Sequence, residues 1–101
     1  MAQFDVYHNT NSATSDTFPY LLDIQNDLLS VLQTRVVVPL ATGITPIKHL
    51  NPSFLINDET IIMSTADMAS IPLSLCGEVV HNLSDKRDEI IDALDFLVIG
   101  F

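Results

Sequence analysis

A chain of 101 residues with 13 Asp and Glu against 4 Lys and Arg carries a formal charge of -9. Such a field repels a phosphate backbone, which is held by clustered Lys and Arg, so it argues against direct nucleic-acid binding and favours a basic partner. At 48% hydrophobic and 17% charged the composition is that of a folded domain, and the length sets the expectation of one domain whose modest core gains from oligomerisation.

The stretch QFDVYHN alternates, with Phe4, Val6 and His8 on one side and Gln3, Asp5 and Tyr7 on the other, the pattern of a half-buried strand. NTNSATSDT, residues 9–17, follows as a polar loop of the kind that often binds. FPYLLDIQ resumes as a strand with Pro19 near its start, and TRVVVPLA is a dense β-branched run expected to end near Pro39. Arg35 is the lone cation between residues 1 and 47 and is expected to pair with Asp23 or Asp27. TPIKHL carries the signals of a short helix, Thr45 as N-cap and Pro46 in the first turn. FLIN and TIIMS flank Asp58-Glu59 as a hairpin, and short strands broken by Pro72 and Gly77 run on through Val80.

The last segment reads as an amphipathic helix, with Ser84 as N-cap and Asp85 and Asp88 in the first turn. Ile90, Ile91, Leu94, Leu97 and Val98 gather on one side; Asp85, Asp88, Glu89, Asp92 and Asp95 gather on the other. Phe96 falls among the acids, and Asp92 and Asp95 sit at the wrong end of the helix dipole. The run DFLVIGF carries no charge after Asp95 and belongs either to the core or to a partner. Strands, a short helix, strands and a last helix make a β-rich, antiparallel α+β domain, since no helices alternate with the strands as βαβ units require.

Catalytic signals are sparse. His8, His49 and His81 have no second ligand-type residue at metal spacing, and three glycines form no phosphate-binding loop. Asp58-Glu59 reads as a solvated turn. Cys76, the lone cysteine, forbids an intrachain disulfide; LSLCGEVV reads as a buried strand in which it is a small hydrophobe. With no secretory signal pattern, the expectation is a reducing cytoplasm. No apolar run approaches the ~18 residues of a membrane span. What remains is binding. DLL, residues 27–29, sets two adjacent leucines where a polar turn is expected, and at least one of them is hard to bury in so short a connection.

LDIQNDLL (22–29), TRVVVPLA (34–41), MSTADMASIPLSLCGE (63–78) and LSDKRDEIIDALDFLVIGF (83–101) resemble the CcdB family, toxins of plasmid-addiction modules whose antitoxin is CcdA. The resemblance runs from Gln3 to Phe101, apart from the 9–17 loop. It implies a homodimer with a barrel-like antiparallel sheet and a C-terminal helix, a fold shared with the RNA-cutting toxins Kid and MazF. It implies no enzyme and no cofactor. The dimer is expected to lodge between DNA gyrase A subunits and trap the cleaved-DNA complex. CcdA removes the toxin with a disordered segment, and the pair represses its operon, DNA being touched through the antitoxin alone.

The family's gyrase contacts carry over to Leu28 and Leu29, after Gln25-Asn26-Asp27, and to the end of the helix: Asp95, Val98, Ile99, Gly100 and Phe101. Gln3, Phe4 and Tyr7 match first-strand positions tied to toxicity. The family ending N-L-M-F-W-G-I is DFLVIGF here, so the tryptophan that stacks on a gyrase arginine is replaced by Ile99. Two alternatives follow. One is an antitoxin-binding homologue with weak or no gyrase activity. The other is an endoribonuclease of the same fold, for which 4 Lys and Arg are a poor endowment.

Overall fold

The computed structural model describes residues 1–100. Among these, the strands are β1 (Asp5–Asn9), β2 (Tyr20–Asp23), β3 (Thr34–Ala41), β4 (Ser53–Ile56), β5 (Glu59–Met63), β6 (Ala69–Pro72) and β7 (Cys76–Asn82), followed by one helix, α1 (Arg87–Ile99). Every pairing is antiparallel, in the order β4-β5-β3-β2-β1-β7, with β6 also on β3. The chain is thus α+β, an antiparallel sheet curled into a half-barrel with a C-terminal helix.

β3 is the hub. Thr34–Val37 pair with β6, Leu40 and Ala41 pair with β5, and β2 lies along the other edge. Pro39 stands at the junction of β5 and β6, where its carbonyl accepts from Ser64 N at 2.9 Å. The N and C=O of one residue point the same way in an antiparallel strand. The missing proline donor therefore falls where neither partner strand needs it, and β3 runs through Pro39 to Ala41 instead of stopping there.

Both faces of the sheet are covered. α1 buries Ile90 and Ala93 against Val6, Leu22, Val38, Leu40, Phe54, Ile56, Ile61 and Met63. On the opposite face Tyr7, Leu21 and Val37 pack beneath Ile71 and Cys76. The alternation expected for the first strand therefore fails at two residues: Tyr7 is sealed in the second cluster, while His8 is exposed and stacks on Tyr20. β7, expected to be a buried strand, is largely exposed, and Cys76 is half-buried at the lip of the second cluster. Burial pushes its thiol up, which keeps it protonated.

Three local expectations are corrected. The hairpin turn is Asn57-Asp58, with φ of 51° and 64°, one residue earlier than expected. Two left-handed residues make the primed turn that matches strand twist, and Asn and Asp tolerate that conformation. Residues 45–50 form no helix. Asn51 Oδ1 accepts from Ile47 N at 2.8 Å, and His49 sits at φ 69°, outside helical space. Pro52 then biases Asn51 away from helix. Ser84 does not cap α1 with its side chain; Asn82 Oδ1 accepts from Ser84 N at 2.8 Å, and a 3-10 turn over Ser84–Lys86 leads into the helix.

Candidate functional site

The centre of the second face is a buried polar network. Arg35 clasps Asp23 with both arms of its guanidinium, Nε to Oδ2 at 2.7 Å and Nη2 to Oδ1 at 2.9 Å. Both residues are buried, so the pair is worth having only if the remaining polar atoms are satisfied. They are: Tyr7 Oη donates to Asp23 Oδ2 at 2.5 Å, and Gln25 N donates to Asp23 Oδ1 at 3.0 Å. Burial first, and then the bond to Asp23, push the Tyr7 phenol far above its ordinary value. The Arg35 guanidinium is raised by its bond to the same carboxylate.

This network ends in a loop. Gln25 Nε2 donates to Leu29 O at 3.0 Å and Gln25 Oε1 accepts from Val36 N at 3.1 Å. From just ahead of β1, Gln3 N donates to Asp27 Oδ1 at 2.8 Å and Gln3 Nε2 to Ile24 O at 3.3 Å. Phe4 takes φ 70°, rare for a bulky residue, and its N donates to Asp23 O at 2.6 Å. Asn26 Oδ1 caps the 3-10 turn over Asp27–Leu29 by accepting from Leu28 N at 2.8 Å. The loop is fixed both from the segment ahead of β1 and from β3.

What this scaffold presents is apolar. Leu28 is 86% exposed and Val31 83%, with Leu29 and Leu32 also exposed beside them. Burying a side chain of this size is worth roughly 1.5–3 kcal/mol. A segment held open by hydrogen bonds while its leucines stay wet is an exposed apolar patch, the kind of feature that marks interaction surfaces.

The second apolar surface is the end of α1. Leu94 packs against the core and Leu97 is half-buried, but Val98 is 74% and Ile99 60% exposed. Gly100 ends the helix in the left-handed conformation at φ 79°, its N donating to Phe96 O at 2.9 Å. Phe96, which the helical period sets among the acids, tilts against His49 with ring centroids 5.8 Å apart. Asp95 is exposed, and the last turn holds no basic residue.

Gln3 is thus brought to the loop that carries Leu28 and Leu29, while Phe4 and Tyr7 reach Asp23 at the end of β2 from which it springs; Gln3 and Phe4 lie just ahead of β1 and not in the strand. Asp95, Val98, Ile99 and Gly100 lie together at the helix end, and Phe101 lies outside the described residues. Among the described residues no hydrogen bond or ion pair joins residues 27–32 to residues 95–100. Sequence reasoning missed Val31 and Leu32, which extend the apolar ledge, and the tether from Gln25. DLLSVL carried the signal for the first two, four large aliphatics in six residues with no partner strand. A separate cleft of about 280 Å³ opens beneath the 9–17 loop, floored by Leu21, Pro39, Ile71 and Leu75 and rimmed by Asn11 and Asp67.

A family model described as CcdB protein matches residues 3–100, nearly the whole chain. That span includes the network, the ledge and the helix end to Gly100. The chain belongs to the CcdB family, and is in general terms the toxin of a toxin–antitoxin pair.

Proposed function

We propose that this toxin poisons DNA gyrase. As a homodimer it binds the gyrase A subunit through Leu28, Leu29 and the end of α1 and traps the complex that holds cleaved DNA. It acts in the cytoplasm by binding, and catalyses nothing itself. The observation that carries the reading is the ledge: Leu28 and Leu29 are exposed on a loop that is held by Gln3 and springs from Asp23, itself bonded by Phe4 and Tyr7. The residues tied to toxicity by resemblance thereby gain a physical role, since Gln3 holds the contact loop and Phe4 and Tyr7 fix the strand end that leads into it.

A CcdA-like antitoxin neutralises the toxin and co-represses the operon with it, making the DNA contacts. Of the carboxylates, only Asp23 and Asp88 have an ion-pair partner among the described residues. The many free ones draw in a basic, disordered segment, and the polar 9–17 loop above its apolar cleft is the surface we assign to that segment.

A second reading is favoured by one observation. Ile99 is exposed where the family has tryptophan, and an aliphatic side chain lacks the roughly 0.5–2 kcal/mol of a ring stacked on an arginine. In that reading the chain binds its antitoxin and touches gyrase weakly. Asp95 offsets part of the loss if it pairs with the arginine.

Titrating the gyrase A subunit with wild-type protein and with Leu28→Asp separates the two. The gyrase reading expects saturable binding that Leu28→Asp abolishes, because the charge is left unpaired in the contact, with a thermal midpoint close to wild type. Equal binding by both proteins would remove the ledge from the interface.

A further inference from the structure

Gln25 is 4% exposed, and both polar ends of its side chain are spent on backbone. Oε1 takes Val36 N of β3, and Nε2 gives to Leu29 O, the carbonyl that also accepts from Leu32 N at 3.1 Å. Its own N–H reaches Asp23, which Arg35 clasps. One amide therefore bridges the rigid sheet and the carbonyl around which the apolar segment turns. A 3-10 turn of three residues has little stability of its own. Without the bridge, Leu29 O keeps only its bond from Leu32 N within the segment, nothing ties that carbonyl to the sheet, and the 28–32 segment is free to fold its leucines inward or fray.

We infer that Gln25 is a positioning residue for the target-facing ledge, acting through Leu29 to keep Leu28, Leu29 and Val31 presented. The inference rests on the gyrase reading above. The bland alternative is a satisfied core amide that only adds stability. In that case its loss weakens the whole fold evenly and does not act through Leu28.

The test uses the full chain. Gln25→Met fills nearly the same volume and removes both tethers. Gln25→Glu keeps an acceptor for Val36 N but has no donor for Leu29 O, and it stands in if the Met variant does not fold. Amide hydrogen exchange and affinity for the gyrase A subunit are measured on each, and affinity also on Leu28→Ala with and without Gln25→Met. Amides of residues 28–32 are expected to exchange roughly threefold to tenfold faster, the span of one ordinary hydrogen bond, while those of Val36, Val37, Val38 and Leu40 stay slow in Gln25→Glu. Gyrase affinity falls by a similar factor in the wild-type background and by less than about twofold beside Leu28→Ala, the coupling expected of residues acting through one contact. Unchanged exchange at 28–32, or equal affinity losses in both backgrounds, overturns the inference. If wild type does not bind gyrase, the functional reading falls instead, and the exchange comparison alone decides the tether.

Discussion

Asp23 is the residue on which the second face converges. Its carboxylate accepts from Arg35, Tyr7 and Gln25 N, so every bond to that carboxylate is charge-assisted. Tyr7→Phe removes one of them and is expected to cost about 1.5–3 kcal/mol near neutral pH. The cost depends on pH in a definite direction. The folded phenol is raised above its ordinary 10.0, so the fold prefers the neutral form. Its contribution is whole below pH 10 and is withdrawn as pH climbs toward the folded value, at about 1.4 kcal/mol per pH unit. Urea unfolding at about pH 9 and about pH 11 is expected to show wild type losing stability faster than Tyr7→Phe; parallel losses would mean that Tyr7 titrates as if exposed. Gly77 is a second single-residue constraint. A Cβ there would lie 2.5 Å from His8 O, a backbone atom that cannot swing aside. The register between β1 and β7 slips on either side of Tyr7, so this close approach belongs to a bulged pairing. Gly77→Ala is expected to destabilise by about 1–3 kcal/mol in chemical denaturation, and a neutral result would mean that β7 moves freely.

Among the elements, α1 was the most legible from sequence, because its apolar stripe and acidic face follow one period over thirteen residues. The 45–50 segment was misread for a physical reason. Thr45 and Pro46 are genuine helix-start signals, but Asn51 captures Ile47 N from outside the segment, and no local rule contains that bond. The first strand misled for another reason. Alternation assumes one wet face, and here both faces are covered, so Tyr7 is as buried as Val6. Arg35 met one of its two expected carboxylates, since Asp23 lies across an antiparallel pair from Val37 and so within reach. The two apolar surfaces came from the resemblance more than from pattern, because an exposed leucine and a core leucine read alike in a sequence. At this scale the helix end makes its own prediction. Ile99 is exposed, so Ile99→Trp is expected to leave the thermal midpoint within a few degrees and to tighten gyrase binding several-fold, by restoring a ring over an arginine. Loss of stability with no gain in binding would place Ile99 in the fold or the dimer contact.

For the whole molecule, the proposed function gives charge and apolar surface separate tasks. The acidic field suits a basic antitoxin, while the ledge and the helix end are uncharged apart from Asp27 and Asp95 and suit a fitted protein interface. The two surfaces lie on separate elements, and a symmetric pair of chains offers each of them twice. Sedimentation at micromolar protein is accordingly expected to give twice the 11.1 kDa chain mass, and a clean monomer would leave the two surfaces to act singly. Gyrase poisoning is read most directly by mixing gyrase, ATP and supercoiled DNA with this protein, denaturing the products and running them on a gel. Linear DNA is expected to accumulate with wild type, more strongly with Ile99→Trp, and not with Leu28→Asp. Normal supercoiling with no linear product at saturating toxin would show that this member of the CcdB family does not poison gyrase.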